Sequence, residues 1–289
     1  MNSISSKKII TTARTEYVKW ICNPRMILLA VVVVFINSFV IQPMQEHAVK
    51  MGEPLNAIEP FVATVNSEVL VIIVPAVFLA LFSDFPKMDG STLFFVHRIG
   101  KINWVVGQIL FSVYGIITYV GILFLGSVLP VVSTTFWANS WSHVVTQYAK
   151  NFPSESQSFA CLLVKNNIYN QVSPWTAAVQ GYLLMMLYLF TLAIIMLLFQ
   201  CMDKKIYGML CSACVIAFGG TMTLVKMPAM WVLPMAHASV WNHFTSYFRE
   251  PVVALWKSYL YFGCIIAVLI FLVVRLIQFK NFDSIQEID

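Results

Sequence analysis

Charge is what this sequence of 289 residues lacks. Asp, Glu, Lys and Arg together make up 11% of it, and a soluble domain carries nearer a quarter. With 59% hydrophobic residues and a mean hydropathy of +0.78, the deficit excludes an ordinary globular domain. The apolar residues fall into six blocks: Pro24–Gln42, Phe61–Phe82, Ile102–Leu129, Pro174–Cys201, Ile206–Val225 and Pro251–Phe279. Each is close to or above the roughly 20 helical residues that cross a bilayer. The longest piece between blocks, Pro130–Ser173, is too short and interrupted to hold a core of its own. The expected fold is all-α: a polytopic membrane protein with six transmembrane helices.

Other absences exclude chemistry. Of six cysteines, only Cys161 falls in a long connecting segment, so no disulfide framework is expected. Cys211 and Cys214 make a C-x-x-C inside an apolar block, without a second ligand pair. They read as small residues at a helix-packing face. His237 and His243 lie six apart with no acid or cysteine beside them, which excludes a metal site. Gly100-Lys101 is followed by Ile102 and preceded by no glycine at the P-loop spacing, so this chain holds no nucleotide cradle. No acid pair within the blocks and no Ser-His-Asp arrangement points to an enzyme. No repeat relates the two halves, which counts against an inverted-repeat carrier. The first block is preceded by 23 residues rich in polar and charged side chains and followed by no small-residue cleavage site, so a cleaved leader is not expected.

The basic residues that are present give a direction. With the N-terminus inside, inner stretches hold Lys7, Lys8, Arg14, Lys19, Arg25, Lys87, Arg98, Lys101, Lys204, Lys205, Arg275 and Lys280. Outer stretches hold Lys50, Lys150, Lys165, Lys226, Arg249 and Lys257, twelve against six. Positive charge favours the cytoplasm, so both termini are expected there. The net charge of +5 reflects this bias and does not point to nucleic acid.

Residues 1–22 carry their own pattern. Ile9, Ile10, Ala13, Tyr17, Trp20 and Ile21 share one helical face, and Lys7, Lys8, Arg14, Thr15 and Lys19 take the rest, with Val18 the exception. The spacing predicts a basic amphipathic helix in the cytoplasmic membrane interface, ended by Asn23-Pro24, with the permease body over 23–289. On the outer side, Trp137, Trp141, Val144, Val145 and Tyr148, and the run from Met230 to Phe248, have helical spacing and read as surface or re-entrant pieces. Met222, Met227, Met230 and Met235 with Trp231 add a soft apolar surface.

One loop contradicts its own polarity. Asp84–Lys101, "DFPKMDGSTLFFVHRIGK", joins two apolar blocks and carries three basic residues and two aspartates, yet its middle reads Leu93-Phe94-Phe95-Val96. Pro86 stops the preceding helix, Asp89 or Ser91 can cap a short one, and Gly100 fits its end. A helix over 92–99 would be about 12 Å long and apolar almost all round. Leaving two Phe and a Leu in water forfeits roughly 1.5–3 kcal/mol each. Three shelters remain open: the bilayer interface, the protein's own helix ends, or another protein.

The N-terminal stretch "ARTEYVKWICNPRMILL", with "FSDFPKMDGSTLFFVHRIGKINWVVGQIL" running straight into the third block, resembles type 2 ATP-binding-cassette (ABC) transporter permeases. The resemblance covers the whole chain in architecture, and only Ala13–Leu29 and Asp84–Leu110 in sequence texture. It implies that the N-terminal helix and a short coupling helix dock on a separate cytoplasmic ATPase subunit, which binds the ATP and magnesium. Leu93, Phe94, Phe95 and His97 would enter the ATPase groove, with Asp89, Arg98 and Lys101 as its polar rim. It also implies a second permease, identical or not, and a bacterial plasma membrane. The expected function is then export of a hydrophobic or amphiphilic substrate, a peptide, antibiotic or lipid-like molecule, with self-immunity as one use. An ATPase-independent carrier or channel, or a non-transporting sensor or scaffold, stays as the alternative.

Glu68 is the main ionisable candidate within the blocks. An acid at membrane depth costs about 2.5–3.5 kcal/mol and normally faces a bundle interior or cavity. With Asn66 and Ser67 it reads as a polar patch on a substrate pathway, or else as an interfacial carboxylate in water. Lys257 reads as a side chain that snorkels outward.

Overall fold

The computed structural model describes residues 4–87, 96–245 and 251–279. Every regular element among them is helical, and the one extended pairing is an isolated bridge between Asn56 and Phe136. Five helices are long and apolar enough to cross a membrane: Pro24–Met51, Lys101–Val131, Pro174–Cys201, Lys205–Leu224 and Leu255–Phe279. They are spans one, three, four, five and six. A bent pair, Glu59–Asn66 and Leu70–Leu81, whose axes differ by 77°, makes a sixth if its two halves are counted as one broken span, here span two. The chain is thus a multi-pass membrane protein.

Span one is longer than the hydropathy of its first half requires. Beyond Ile36 it passes through a π-turn, Asn37–Ile41, and continues as Gln42–Met51 to Gly52, whose φ of 69° ends it in the left-handed conformation. Span two departs furthest from the sequence pattern, which predicts one continuous helix over Phe61–Phe82. Glu59–Asn66 is buried along its whole length, and the chain then breaks at Ser67, in extended conformation, and restarts at Leu70. Pro75 sits inside the continuous second half.

The two ends of the bundle differ. At one end, Asp84 accepts from Arg25 at the start of span one and from Lys205 Nζ at the start of span five (3.2 Å), while Arg25 also donates to Ser83 Oγ at 2.7 Å. We call this the clamped end. The other end is capped by short helices, His143–Asn151, Phe159–Leu163 and Asn166–Tyr169, and by the segment 228–243, which is built of three short helical pieces rather than a single helix. Trp137 and Trp141, grouped by spacing with Tyr148, precede the helix that starts at His143; Trp141 Nε1 donates to the Val172 carbonyl at 2.7 Å.

The N-terminal helix Ser6–Ile21, here α1, forms where the amphipathic pattern places it. Part of its apolar stripe packs on protein, while Ile10 and Ile21 stay exposed: Ala13 and Trp20 are buried, Trp20 Nε1 donates to the Leu81 carbonyl (3.3 Å), and Tyr17 shares a 2.7 Å hydrogen bond with Thr118 Oγ1. Ser5 N–H donates to Asn103 Oδ1 at 3.0 Å, and a Cβ on Gly107 would lie 2.7 Å from that of Thr12. Contacts that run from Asn103 to Thr118 as α1 runs from Ser5 to Tyr17 mean that α1 follows span three, N-terminus beside N-terminus. The small residue at 107 permits this approach.

Candidate functional site

The break in span two is where the sequence-derived polar patch falls, and the fold explains its composition. A helix interrupted at Ser67 frees carbonyls behind the break and amide donors ahead of it, and buried groups of this kind need partners. Asn66 supplies one bridge. Its Nδ2 donates to the Val62 carbonyl of its own helix at 3.1 Å, and its Oδ1 accepts from Val240 N–H at 3.0 Å, which ties segment 228–243 to the break. Ser67 N–H closes the first half on the Ala63 carbonyl (2.9 Å), and Ser67's carbonyl accepts the first bond of the second half from Val71 N–H (3.0 Å). Asn66 and Ser67 are both buried.

Glu68 follows immediately and is neither lone nor simply solvated. Its carboxylate pairs with the ammonium of Lys165, and side-chain exposures of 30% and 19% place the pair at the rim of the interior. Lys165 Nζ also lies 4.2 Å from the ring centre of Trp241, whose aromatic face stabilises a cation electrostatically. A carboxylate just ahead of the first turn of Leu70–Leu81 also complements the positive end of that helix. The site is therefore a chain: Asn66 to Val240, Glu68 to Lys165, Lys165 to Trp241. Sequence reading found Asn66, Ser67 and Glu68 and missed Lys165 and Trp241. Lys165 did carry a signal, being the one basic residue between Lys150 and Lys204.

Two neighbours shape the site. Span four approaches so closely that a Cβ on Gly181 would lie 2.7 Å from Val65 Cγ2 and 3.0 Å from Asn66 Nδ2. On the other side, Lys165 lines a cavity of about 270 Å³ with His47, Tyr148, Cys161 and Tyr169. His47 stacks on Tyr148 with ring centres 3.7 Å apart, and the Tyr148 hydroxyl donates to Glu155, which also accepts from Lys50 at 2.9 Å. The Tyr148 hydrogen bond and then Lys50 hold the Glu155 carboxyl below the usual range.

The cap is anchored by another acid, this one fully buried. Glu59 accepts from Asn56 N–H (3.0 Å), Ser142 N–H (2.6 Å) and Ser142 Oγ (2.8 Å), and Asn56 Nδ2 donates to the carbonyls of Ala138 and Ser140. Three donors on one carboxylate satisfy it without a cation. Its role is to fix the connection into span two.

The other sequence-derived site lies beside α1. Asp89, Leu93, Phe94 and Phe95 fall outside the described residues. His97 and Arg98 are exposed on the helical turn that closes at Gly100, whose φ of 91° favours glycine, and Lys101 opens span three. Val96 points the other way and is 2% exposed. Arg98 and Ile99 line a cleft of about 480 Å³ together with Lys7, Lys8, Thr11 and Trp104. The threonine hydroxyls along it donate back into α1, Thr11 to the Lys7 carbonyl (2.8 Å) and Thr12 to that of Lys8 (2.9 Å), so its outward donors are the cations.

His237 and His243 are buried at the capped end and bonded to carbonyl oxygens, and no group of three or more His, Cys, Asp or Glu fit to hold a metal occurs among the described residues. Lys257 is exposed, its ammonium 5.9 Å from the centre of the Trp256 ring. Compared with known proteins, this chain matches no family model, no curated protein and no solved structure.

Proposed function

We propose that this chain is the membrane half of an ABC exporter, working in a bacterial plasma membrane with a separate cytoplasmic ATPase and a second permease. The clamped end and α1 face the cytoplasm in this reading, as the distribution of Lys and Arg requires. The observation that carries it is the joint surface of α1 and span three. The linker between spans two and three rejoins the bundle there, with His97 and Arg98 exposed next to Lys7 and Lys8. A chain without a P-loop gains nothing by itself from such a ledge; a nucleotide-driven subunit pressing on it would gain a grip on two helices at once.

Movement of the linker would reach span two directly, and the break at Ser67 would then change the angle between its halves. The Asn66–Val240 and Glu68–Lys165 contacts are the bonds such a motion would have to make and break. They lie among apolar spans and beside a partly apolar cavity, which fits a hydrophobic or amphiphilic cargo.

The test is co-purification of the full chain with candidate ATPases from its own cell, followed by transport assays in vesicles. Arg98→Glu and Phe94→Asp are each expected to abolish capture of the ATPase while the chain still inserts and resists heat. Capture that survives both substitutions would remove the docking reading. Transport that continues unchanged with an ATPase-dead partner would favour a motor-independent carrier, and absence of flux under all conditions would favour a sensor.

A further inference from the structure

Two histidines that spacing alone discounts meet in the core of the capped end. His237 lies in the short helix Pro234–Ala238, His243 in the turn Val240–His243, and Ser258 in the first turn of span six. All three are buried. Their hydrogen bonds fix where the protons are. His237 Nε2 lies 2.8 Å from the Trp231 carbonyl, which only accepts, so this nitrogen carries a hydrogen. In a neutral ring Nδ1 is then the acceptor, and Ser258 Oγ, 2.7 Å away, donates to it. His243 Nδ1 lies 2.7 Å from the Val253 carbonyl and must also carry its hydrogen.

One nitrogen is left over. His243 Nε2 faces Ser258 Oγ at 3.3 Å, whose proton is already given to His237, and the His237 carbonyl oxygen, also at 3.3 Å. With both rings neutral this is a buried lone pair set against two oxygens. A proton on Nε2 would turn both contacts into hydrogen bonds and leave all four ring nitrogens and the hydroxyl satisfied.

We propose that His237, Ser258 and His243 form a proton-binding site that takes up one proton at His243 Nε2, and that the loaded form fastens segment 234–243 to the head of span six. The proton comes from water and no covalent bond other than N–H forms or breaks. The attachment is structural: His243 already holds the chain at Val253 through Nδ1, and Val252 N–H donates to the His243 carbonyl at 2.8 Å. A metal ion is a poorer occupant, because each ring nitrogen already faces an oxygen of the fold.

Among the described residues, the groups in contact with the two rings carry no charge, and Lys165, set over Trp241 in the same turn as His243, is matched by Glu68. Tyr261 stacks on His237 with ring centres 4.0 Å apart and donates its hydroxyl to the Val232 carbonyl; Trp231 lies 5.2 Å from each imidazole, and Phe262 6.3 Å from His237. Spans four, five and six bring no acid, and their cations are Lys205, Lys257 and Arg275, none of them bonded to either ring. Segments 228–232 and 234–243 bring no other charge. Burial lowers both imidazoles below the ordinary histidine range against the pull of the carbonyls, so loading belongs to the acid side of that range.

The test is 15N NMR of imidazole-labelled full-length chain in nanodiscs, titrated over the range in which it stays folded. Among five histidines, one of the buried pair is expected to gain one proton on the acid side of the ordinary histidine range, with its Nε2 shift moving to the imidazolium value. Protection factors of the Val252 and Ala238 amides, corrected for intrinsic exchange, should rise about tenfold with loading. His243→Gln should abolish both effects, and Ser258→Ala, which keeps both rings, should weaken the shift without unfolding the segment. Both rings neutral throughout, protonation without a gain in protection, or an Nε2 shift moved by zinc but not by acid would each overturn the proposal. Since none of these readings involves an ATPase, the outcome is independent of the transport reading.

Discussion

Glu68 shows how a residue changes meaning once its neighbours are known. Alone in the sequence it is a costly acid at membrane depth; in the fold it has a cation, and that cation has an aromatic face. Both groups keep some contact with solvent, so the pair is discounted from buried values, and Glu68→Gln is expected to cost about 1–2 kcal/mol, most of it from Lys165 left unpaired. The double variant with Lys165→Gln should recover part of that loss. A thermal-unfolding cycle would read the coupling, and strictly additive losses would mean that the pair does not interact. Gly181 gives a second residue-scale forecast. Its Cβ would press on Val65 and Asn66, and neither lies at the end of a long flexible chain, so Gly181→Val should destabilise by about 1–3 kcal/mol and loosen the Asn66–Val240 bond. Normal protection of the Val240 amide in that variant would contradict it.

At the scale of elements, the clamp of Asp84 joins the starts of spans one and five to the end of span two. Burial works to raise the Asp84 carboxyl, but the Lys205 hydrogen bond and charge, then Arg25, outweigh it and hold the group below the usual aspartate range. A folded value below the unfolded one gives stability that is complete above the ordinary aspartate value and lost as pH falls through the lowered one. Amide protection around Met26 and Gly208 should therefore persist from about pH 7 to pH 5 and fail only in stronger acid, and Asp84→Asn should lose it throughout. Docking of α1 is testable in the same way. Gly107→Val places methyl groups where Thr12 sits, and should expose Trp20 to quenchers while spans three and four stay protected.

At the scale of the molecule, the order of the natural cysteines offers a direct check on direction. A chain that keeps only Cys161 should react with impermeant maleimide on intact cells, and one that keeps only Cys22, exposed beside α1, should react only after lysis; the reverse pattern would invert the orientation. The places of the five long spans, and of the bent pair that would make a sixth, were legible in the sequence because hydropathy over 20 residues is a strong, local signal. The break in span two was not. Asn66-Ser67-Glu68 announced polarity, but whether polar residues end a helix or merely face its neighbours depends on Gly181 and Val240, which are distant in sequence. Pro75 does not end the second half, because a helix tolerates proline when neighbours cover the freed carbonyl. Likewise α1 was legible as amphipathic, while the surface that its apolar stripe meets was not, since lipid and a neighbouring helix demand the same pattern.

Phe82 has its ring set into the side of span three at Gly115, where an added Cβ would fall 2.5 Å from Cζ. A peg seated in a notch resists sliding along the notch's helix but allows turning about the peg. Spans two and three are thereby denied a piston stroke relative to each other, and what remains to them is roll and tilt about that point.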